Sequence, residues 1–366
     1  MKRILFSAVT LDVGGIETAL VTLLNYLVNK YEITLVLEKR QGIFLDELDS
    51  RITVMEYSPS NNKFVFIRKF INLLKQLRFK NKYNNKFDFA CSYATYSNPA
   101  SFVARVASKN SVLWCHMDYL SQYGGDKEKV KQFFEEKHYK EFSKLVFVSE
   151  KSKQTFLEVF PEMANKVIFI NNLIDYKEIE QKAEESIPEE DLFEKKNDET
   201  IFLNYGRQEE SQKRLYRIIE AAEKSKELGI KFKIIFIGDG PDSNNYKKRV
   251  QELDLEKEII FLGRKKNPFP YVKKSDCVLL TSEYEGSPVV FTETMILNKP
   301  IITTDVAGSE QIEGKFGYVV EKNVDAIAKA MQLFMEKKFK IENKFDAEEY
   351  NNEAFKKIED LINLKG

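Results

Sequence analysis

Cysteine, histidine, glycine and proline are all scarce in this chain. Its three cysteines (Cys91, Cys115 and Cys277) are odd in number, share no C-x-x-C spacing, and each lies in an apolar run. They read as buried free thiols of a reducing compartment, not as a disulfide framework. His116 and His138 are the only histidines, so no structural zinc site is expected. Long apolar runs are missing too: none approaches the roughly 20 residues of a membrane-spanning helix. The opening Met1-Lys2-Arg3-Ile4-Leu5-Phe6 turns polar too quickly for a signal peptide. The expectation is a cytoplasmic protein, peripheral on the inner face of the plasma membrane at most. Net charge is absent as well, with 57 Lys+Arg against 57 Asp+Glu, so global charge points neither toward nucleic acid nor away from it. G-x-G-x-x-G does not occur. Ile234-Ile235-Phe236-Ile237-Gly238-Asp239-Gly240-Pro241 is a buried strand and a tight turn, with no acidic residue at dinucleotide spacing. A Rossmann oxidoreductase is therefore poorly supported.

The 366 residues present, 43% apolar and 31% charged, suit two α/β domains. Short β-branched or aromatic runs alternate with segments of helical period, the pattern of parallel sheets with crossover helices. Strands are predicted at Ile4–Ala8, Glu32–Leu37, Ile52–Glu56, Phe87–Ser92, Ser111–Cys115, Lys144–Val148 and Lys166–Ile170. In the second half they are predicted at Ile201–Tyr205, Lys233–Ile237, Ile259–Leu262, Cys277–Thr281, Ile301–Thr304 and Tyr318–Val320. Helices are expected over Ile16–Asn29, Lys127–Phe142 and Leu215–Leu228. Between Glu178 and Glu199 ten acidic residues face three basic ones, which reads as a solvated linker or surface helix. The expected division is an N-terminal domain at 1–175, an acidic linker at 176–199, a C-terminal domain at 200–345, and a terminal helix at 346–366 that packs back on the first domain.

Chemistry concentrates at strand ends. Asp12-Val13-Gly14-Gly15-Ile16-Glu17 leaves the first strand and enters a helix, and paired glycines there let backbone N–H groups approach an anion. The second domain opens alike, with Gly206-Arg207 after a strand and Gln212-Lys213-Arg214 before a helix. Two cations beside a helix N-terminus suit a diphosphate, although isolated charges on a loop are more often simply solvated. The densest segment is Ser282-Glu283-Tyr284-Glu285-Gly286-Ser287-Pro288-Val289-Val290-Phe291-Thr292-Glu293, at the C-terminal end of a strand, where open α/β sheets bind ligands. With Pro288 at the first helical position, Glu285 falls in the loop and Glu293 in the second turn. One carboxylate can then face a sugar ring while the other accepts bonds from a ribose diol. The N–H groups of Gly286, Ser287 and Val289 point at the same ligand.

These motifs carry a resemblance. Gly14-Gly15-x-Glu17, Gly206-Arg207 with Lys213, Gly238-Asp239-Gly240 and Glu285-x7-Glu293 occur in this order in the retaining glycosyltransferases of family 4, which have the GT-B fold of two doubly wound Rossmann-like domains facing across a cleft. Tyr284 to Pro288 and Lys299-Pro300-Ile301-Ile302-Thr303-Thr304-Asp305 are similar to that family's C-terminal segment. The resemblance implies a nucleoside-diphosphate sugar donor, UDP-sugar favoured, and transfer of a hexose or N-acetylhexosamine to a saccharide acceptor, lipid-linked, in bacterial surface polysaccharide or glycan assembly. No cofactor and no metal are implied: Arg207 and Lys213 neutralise the departing diphosphate. Glu293 holds the ribose, Glu285 meets the transferred sugar, Gly15 approaches the phosphates, and His116 matches the histidine facing the donor sugar. Two departures stand out. The loop from Gly206 is a residue longer than usual, which leaves Lys213 or Arg214 as the phosphate ligand. Ala307-Gly308-Ser309-Glu310 replaces the commoner double glycine. The rival readings are a GT-B nucleotide-sugar epimerase and a non-catalytic nucleotide-sugar-binding subunit.

One segment falls outside this scheme. From Tyr57 to Phe87 no acidic residue occurs, while Lys63, Arg68, Lys69, Lys75, Arg78, Lys80, Lys82 and Lys86 supply eight cations among apolar residues at helical spacing. It is either a helix for an anionic membrane surface or an ordinary domain helix with its apolar stripe in the core. No nucleic-acid reader motif accompanies it.

Overall fold

The computed structural model describes residues 1–12, 14–193, 199–336, 341 and 344–364. The chain forms two compact units, 1–174 with 349–366, and 175–348.

In the first unit seven strands, β1 (Lys2–Ala8), β2 (Tyr31–Leu37), β3 (Thr53–Glu56), β4 (Phe89–Ser92), β5 (Ser111–Cys115), β6 (Lys144–Phe147) and β7 (Val167–Phe169), pair in the order β3-β2-β1-β4-β5-β6-β7. Every pairing is parallel. Both faces of such a sheet are covered, which is why β1 and β5 read as unbroken apolar runs instead of alternating. Phe6, Phe89 and Trp114 pack on one face, and Leu5, Leu113 and Phe147 on the other. The strand order reverses between β1 and β4, so the loops after those two strands flank the crevice where such sheets take ligands.

The second unit repeats the plan with β8 (Thr200–Tyr205), β9 (Phe232–Ile237), β10 (Ile259–Gly263), β11 (Cys277–Leu280), β12 (Ile301–Thr304) and β13 (Gly317–Val320). The order is β10-β9-β8-β11-β12-β13, again all parallel. Its reversal lies between β8 and β11, and the two densest sequence segments, after Tyr205 and after Leu280, are the loops that leave those strands.

Two expectations need correcting, and one open alternative is decided. Of the two readings of the acidic stretch, the solvated linker does not hold over 176–193: the stretch belongs to the second unit and begins with a short surface helix. The helix Tyr176–Lys182 buries Ile179. Asp191 is buried, with its carboxylate held by Lys265 Nζ at 2.7 Å and by the Tyr271 hydroxyl at 2.6 Å. Phe193 joins the core beside them. Apolar residues spaced through the acids supply the anchor that charge counting overlooks. Residues 194–198 of that stretch lie outside the described residues. The helix expected over Lys127–Phe142 stops at Glu136, and His138 turns left-handed at φ 54°. That turn lets Tyr139 and Phe142 enter the core. Of the two readings of the basic segment, the helix Val65–Tyr83 does not follow the one with its stripe in the core: Phe79 is its one buried residue, and Phe66, Phe70, Leu73 and Leu77 are exposed.

The terminal helix Ala347–Asn363 places Ala354, Ile358, Leu361 and Ile362 in the core of the first unit beside Leu20, Leu24 and Leu27. Asn351 clasps the backbone of Ile174 twice, accepting from its N–H at 3.0 Å and donating to its carbonyl at 2.7 Å.

Candidate active site

In the second unit the loop after β8 runs through Gly206 and Arg207 into a single helical turn, Glu210–Lys213, before the helix Tyr216–Glu227. The sequence leads one to expect that helix from Leu215; Leu215 is its cap instead. The loop is clamped to its neighbour through backbone. Gly206 N–H donates to the Ile237 carbonyl at 2.9 Å, and Gln208 N–H to that of Asp239 at 3.0 Å. At Gly238, with φ +132°, a Cβ would lie 1.9 Å from the Gly206 carbonyl oxygen. Only glycine permits so close an approach there. Gly238, expected to contact the donor, therefore has a first duty in shaping the Gly206–Arg207 loop.

Glu285 is buried at the centre of the cluster. Its Oε1 accepts from Lys213 Nζ at 2.5 Å and from Ser282 Oγ at 2.7 Å, and its Oε2 accepts from Gln212 Nε2 at 3.4 Å. The loop is tied to the strand end, with Glu283 N–H donating to the Gln212 carbonyl at 2.7 Å and Thr304 Oγ1 to that of Ser282 at 2.7 Å. Lys213 and Glu285, placed on the same site by their sequence positions, thus meet as an ion pair. Arg207 stands apart and exposed, 3.3 Å from Glu209. Arg214 is engaged elsewhere: its backbone is left-handed at φ 53°, and its guanidinium lies 3.4 Å from Glu283 and 3.7 Å from Glu210. Arg217 also bonds Glu283, at 2.6 Å. Burial works to raise the Glu283 pKa, but the Arg217 hydrogen bond and the charges of Arg217, Lys322 and Arg214 outweigh it and hold the group below its usual range.

The chain leaves Glu285 through buried Gly286, half-buried Ser287 and buried Pro288 into the helix Val289–Ile296. Pro288 caps that helix, one residue earlier than its expected first position, with ψ 122°. Glu293 is then the fifth helical residue. Its Oε2 accepts from the Tyr205 hydroxyl at 2.9 Å, which also lies 3.3 Å from Thr294 Oγ1. Burial pushes the Glu293 carboxyl up to about 7, against the lowering effect of the Tyr205 bond. Tyr205 is itself raised, by burial first and then by the Glu293 charge, and stays a donor. Facing this segment is the loop that departs from the family pattern, where Gly308 N–H donates to Glu310 Oε2 at 2.8 Å.

The first unit carries the other expected residues. The helix Gly15–Leu27 starts directly after Gly14, and Thr18 N–H donates to the Gly14 carbonyl at 3.0 Å. The Glu17 carboxylate folds over that end: a Cβ on Gly14 would meet its Oε2 at 2.2 Å. His116 follows β5, is 8% exposed, and lies 4.4 Å from the Tyr93 ring between centroids. Burial pushes its imidazole down to about 3, opposed by a hydrogen bond to the Tyr93 backbone. It is neutral at ordinary pH. Its Nε2 has no hydrogen-bond partner among the described residues, and with the other nitrogen bonded to the Tyr93 backbone this atom is an acceptor in the neutral ring. Tyr96, half exposed nearby, is raised to about 12 by burial and by the charges of Glu17 and Glu38.

Several residues escaped the sequence reading: Ser282 and Gln212 on Glu285, Tyr205 on Glu293, and Tyr93 beneath His116. Ser282 stands three residues before Glu285, and Tyr205 directly before Gly206. Ser282 opens the densest segment and Tyr205 adjoins the Gly206-Arg207 motif, yet only the folded chain brings their side chains onto the carboxylates.

Residues 13–178 match the family described as Glycosyltransferase Family 4, and residues 186–352 match Glycosyl transferases group 1. A Campylobacter jejuni enzyme named N-acetylgalactosamine-N,N'-diacetylbacillosaminyl-diphospho-undecaprenol 4-alpha-N-acetylgalactosaminyltransferase is 24% identical over 354 residues, 92% of this chain and 91% of that one. An uncharacterized glycosyltransferase of Methanocaldococcus jannaschii is 28% identical over 172 residues, 46% of this chain and 41% of its own length. Among solved structures, Anabaena HepE in complex with UDP shares the fold at a TM-score of 0.74 and 15% identity, covering 98% of this chain and 100% of its own. With these two models matching successive segments of the chain and two parallel sheets of the expected kind, the chain belongs to the group 1 and family 4 glycosyltransferases of GT-B fold.

Proposed function

We propose that this glycosyltransferase moves a hexose or N-acetylhexosamine from a UDP-sugar to a lipid-linked saccharide acceptor, with retention of configuration and without a metal. The observation that carries the reading is the buried Glu285 carboxylate, paired with Lys213 and held by Ser282 and Gln212 at the strand-order reversal of the second unit. A lysine there can exchange its bond to Glu285 for one to a phosphate oxygen, while Arg207 on the same loop adds a second charge. Fixed cations aimed at a departing diphosphate stabilise charge as it develops. Glu293, in the second turn of the helix that follows, accepts the ribose hydroxyls, and Tyr205 steadies it.

The anomeric carbon–phosphate oxygen bond breaks as the acceptor hydroxyl bonds to the same face. The hydroxyl proton then passes to the departing phosphate oxygen beside it, so no protein nucleophile is required. His116 Nε2 accepts from a donor-sugar hydroxyl. The acceptor class is carried over from the diphospho-undecaprenol in the Campylobacter relative's name.

Incubation with UDP-sugars and polyprenyl-diphosphate saccharides should release UDP and extend the lipid-linked glycan, and NMR of the product should show the donor's anomeric configuration. UDP binding should persist in EDTA and fall for Arg207→Ala and Glu293→Ala. Binding that required a divalent metal, or an inverted product, would sink this mechanism.

A further inference from the structure

The helix Val65–Tyr83 carries none of the candidate site residues described above. It is fastened by one side. Phe79 packs edge-on against Tyr57 at 5.1 Å and near Phe102 at 6.1 Å. Asn72 accepts from Ser60 N–H at 2.6 Å, and Lys75 Nζ donates to the Ser58 carbonyl at 2.8 Å. The opposite side is apolar and bare. Phe66, Phe70, Leu73 and Leu77 follow one another at intervals of four, three and four residues, and Ile67 and Leu74 widen the stripe to about 120° of the helix circumference. Phe66 is 88% exposed, Phe70 61% and Leu77 48%, values that belong to the surface of a partner-binding element and not to scattered surface apolar residues.

Cations border the stripe on both edges, Lys69 and Lys80 along one, Arg78 and Lys82 along the other, with Lys63 at its start. No acidic residue lies between Tyr57 and Phe87. This charge decides what covers the face. A second copy of the chain would set two such cationic borders against each other with no carboxylate to pair them. A surface of anionic lipid headgroups answers the borders and takes the stripe into its acyl boundary. At 19 residues the helix is about 28 Å long, and among the described residues no helix is long and apolar enough to cross a membrane. It can only lie in the membrane plane. We infer that the helix Val65–Tyr83 is an in-plane anchor that docks the first unit on anionic phospholipid membranes.

The inference stands apart from the sugar-transfer reading and is tested separately. The full chain is sedimented with sucrose-loaded vesicles of phosphatidylcholine alone, or with about two-fifths phosphatidylglycerol. Expected is binding to the anionic vesicles only, weakened when salt rises from about 0.1 M to about 0.5 M. The triple variant Phe66→Asn, Phe70→Asn, Leu77→Asn and the double variant Lys69→Glu, Lys80→Glu should each lose more than tenfold in partitioning. Trp114, the only tryptophan and buried in the first unit, reports through its emission that each variant stays folded, and unchanged UDP binding separates this result from the donor site. Three results would overturn the inference: equal or no binding to the two vesicles, a triple variant that binds like the parent, or a parent dimer that the triple variant makes monomeric.

Discussion

Glu293 shows how much a single buried carboxyl can decide. Its pKa of about 7 means that the folded protein holds that proton more tightly than the unfolded chain does. The stability this contributes is full below the unfolded value and is lost as pH rises through about 7. Glu293→Gln removes that loss, so the variant should gain about 1–3 kcal/mol on the parent at pH 8 and little at pH 5, read by urea denaturation at both. The same substitution should weaken UDP binding, and in the parent the affinity should climb from pH 6 to 8 as the carboxylate forms. His116, pushed down to about 3, contributes nothing to that climb. His116→Ala should therefore lower kcat and leave the pH dependence of binding intact. Lys213 offers a second test. Removing it strands Glu285 with two neutral donors, so Lys213→Ala should cost about 2–3 kcal/mol, below the range for fully buried pairs because Lys213 is one-fifth exposed. Adding Glu285→Gln should restore part of the loss, a coupling that a double-mutant cycle measures.

Among the elements, the loops after β8 and β9 act as one piece. Gly206 and Gly238 both have positive φ, +140° and +132°, but a Cβ on Gly206 meets nothing within 4 Å whereas one on Gly238 collides with backbone. Gly206→Ala should cost about 1–3 kcal/mol from its conformation alone, and Gly238→Ala distinctly more, with UDP binding falling because Arg207 is displaced. Chemical denaturation of the two variants side by side checks the order. The same contrast explains what was legible. The strands and the motif-bearing loops could be read because parallel strands buried on both faces leave unbroken apolar runs. The acidic segment before β8 was misread because Ile179, Asp191 and Phe193 are too few and too widely spaced to show a period. The helix Val65–Tyr83 was correctly seen as amphipathic, but periodicity does not say which face meets the protein.

Over the whole molecule, the chain ends where it began, on the first unit. Deleting residues 349–366 uncovers Leu20, Leu24 and Leu27 and removes Ile358, Leu361 and Ile362, each a large-to-small loss of about 2–5 kcal/mol. That sum exceeds the stability of an ordinary domain, so the truncated protein should lose the buried emission of Trp114, while Leu361→Ala alone should remain folded but less stable. Sequence alone determined the two α/β units, the strands that end in glycine-rich loops, and the carboxylates and cations gathered on the loops after β8 and β11, because these depend on local period and short spacing. Tertiary structure alone decided that Lys213 pairs with Glu285 while Arg214 goes to Glu283, that Tyr205 and burial set the charge of Glu293, and that the apolar stripe of Val65–Tyr83 faces outward. Each of these depends on which groups distant in the chain become neighbours, and on how much water they keep.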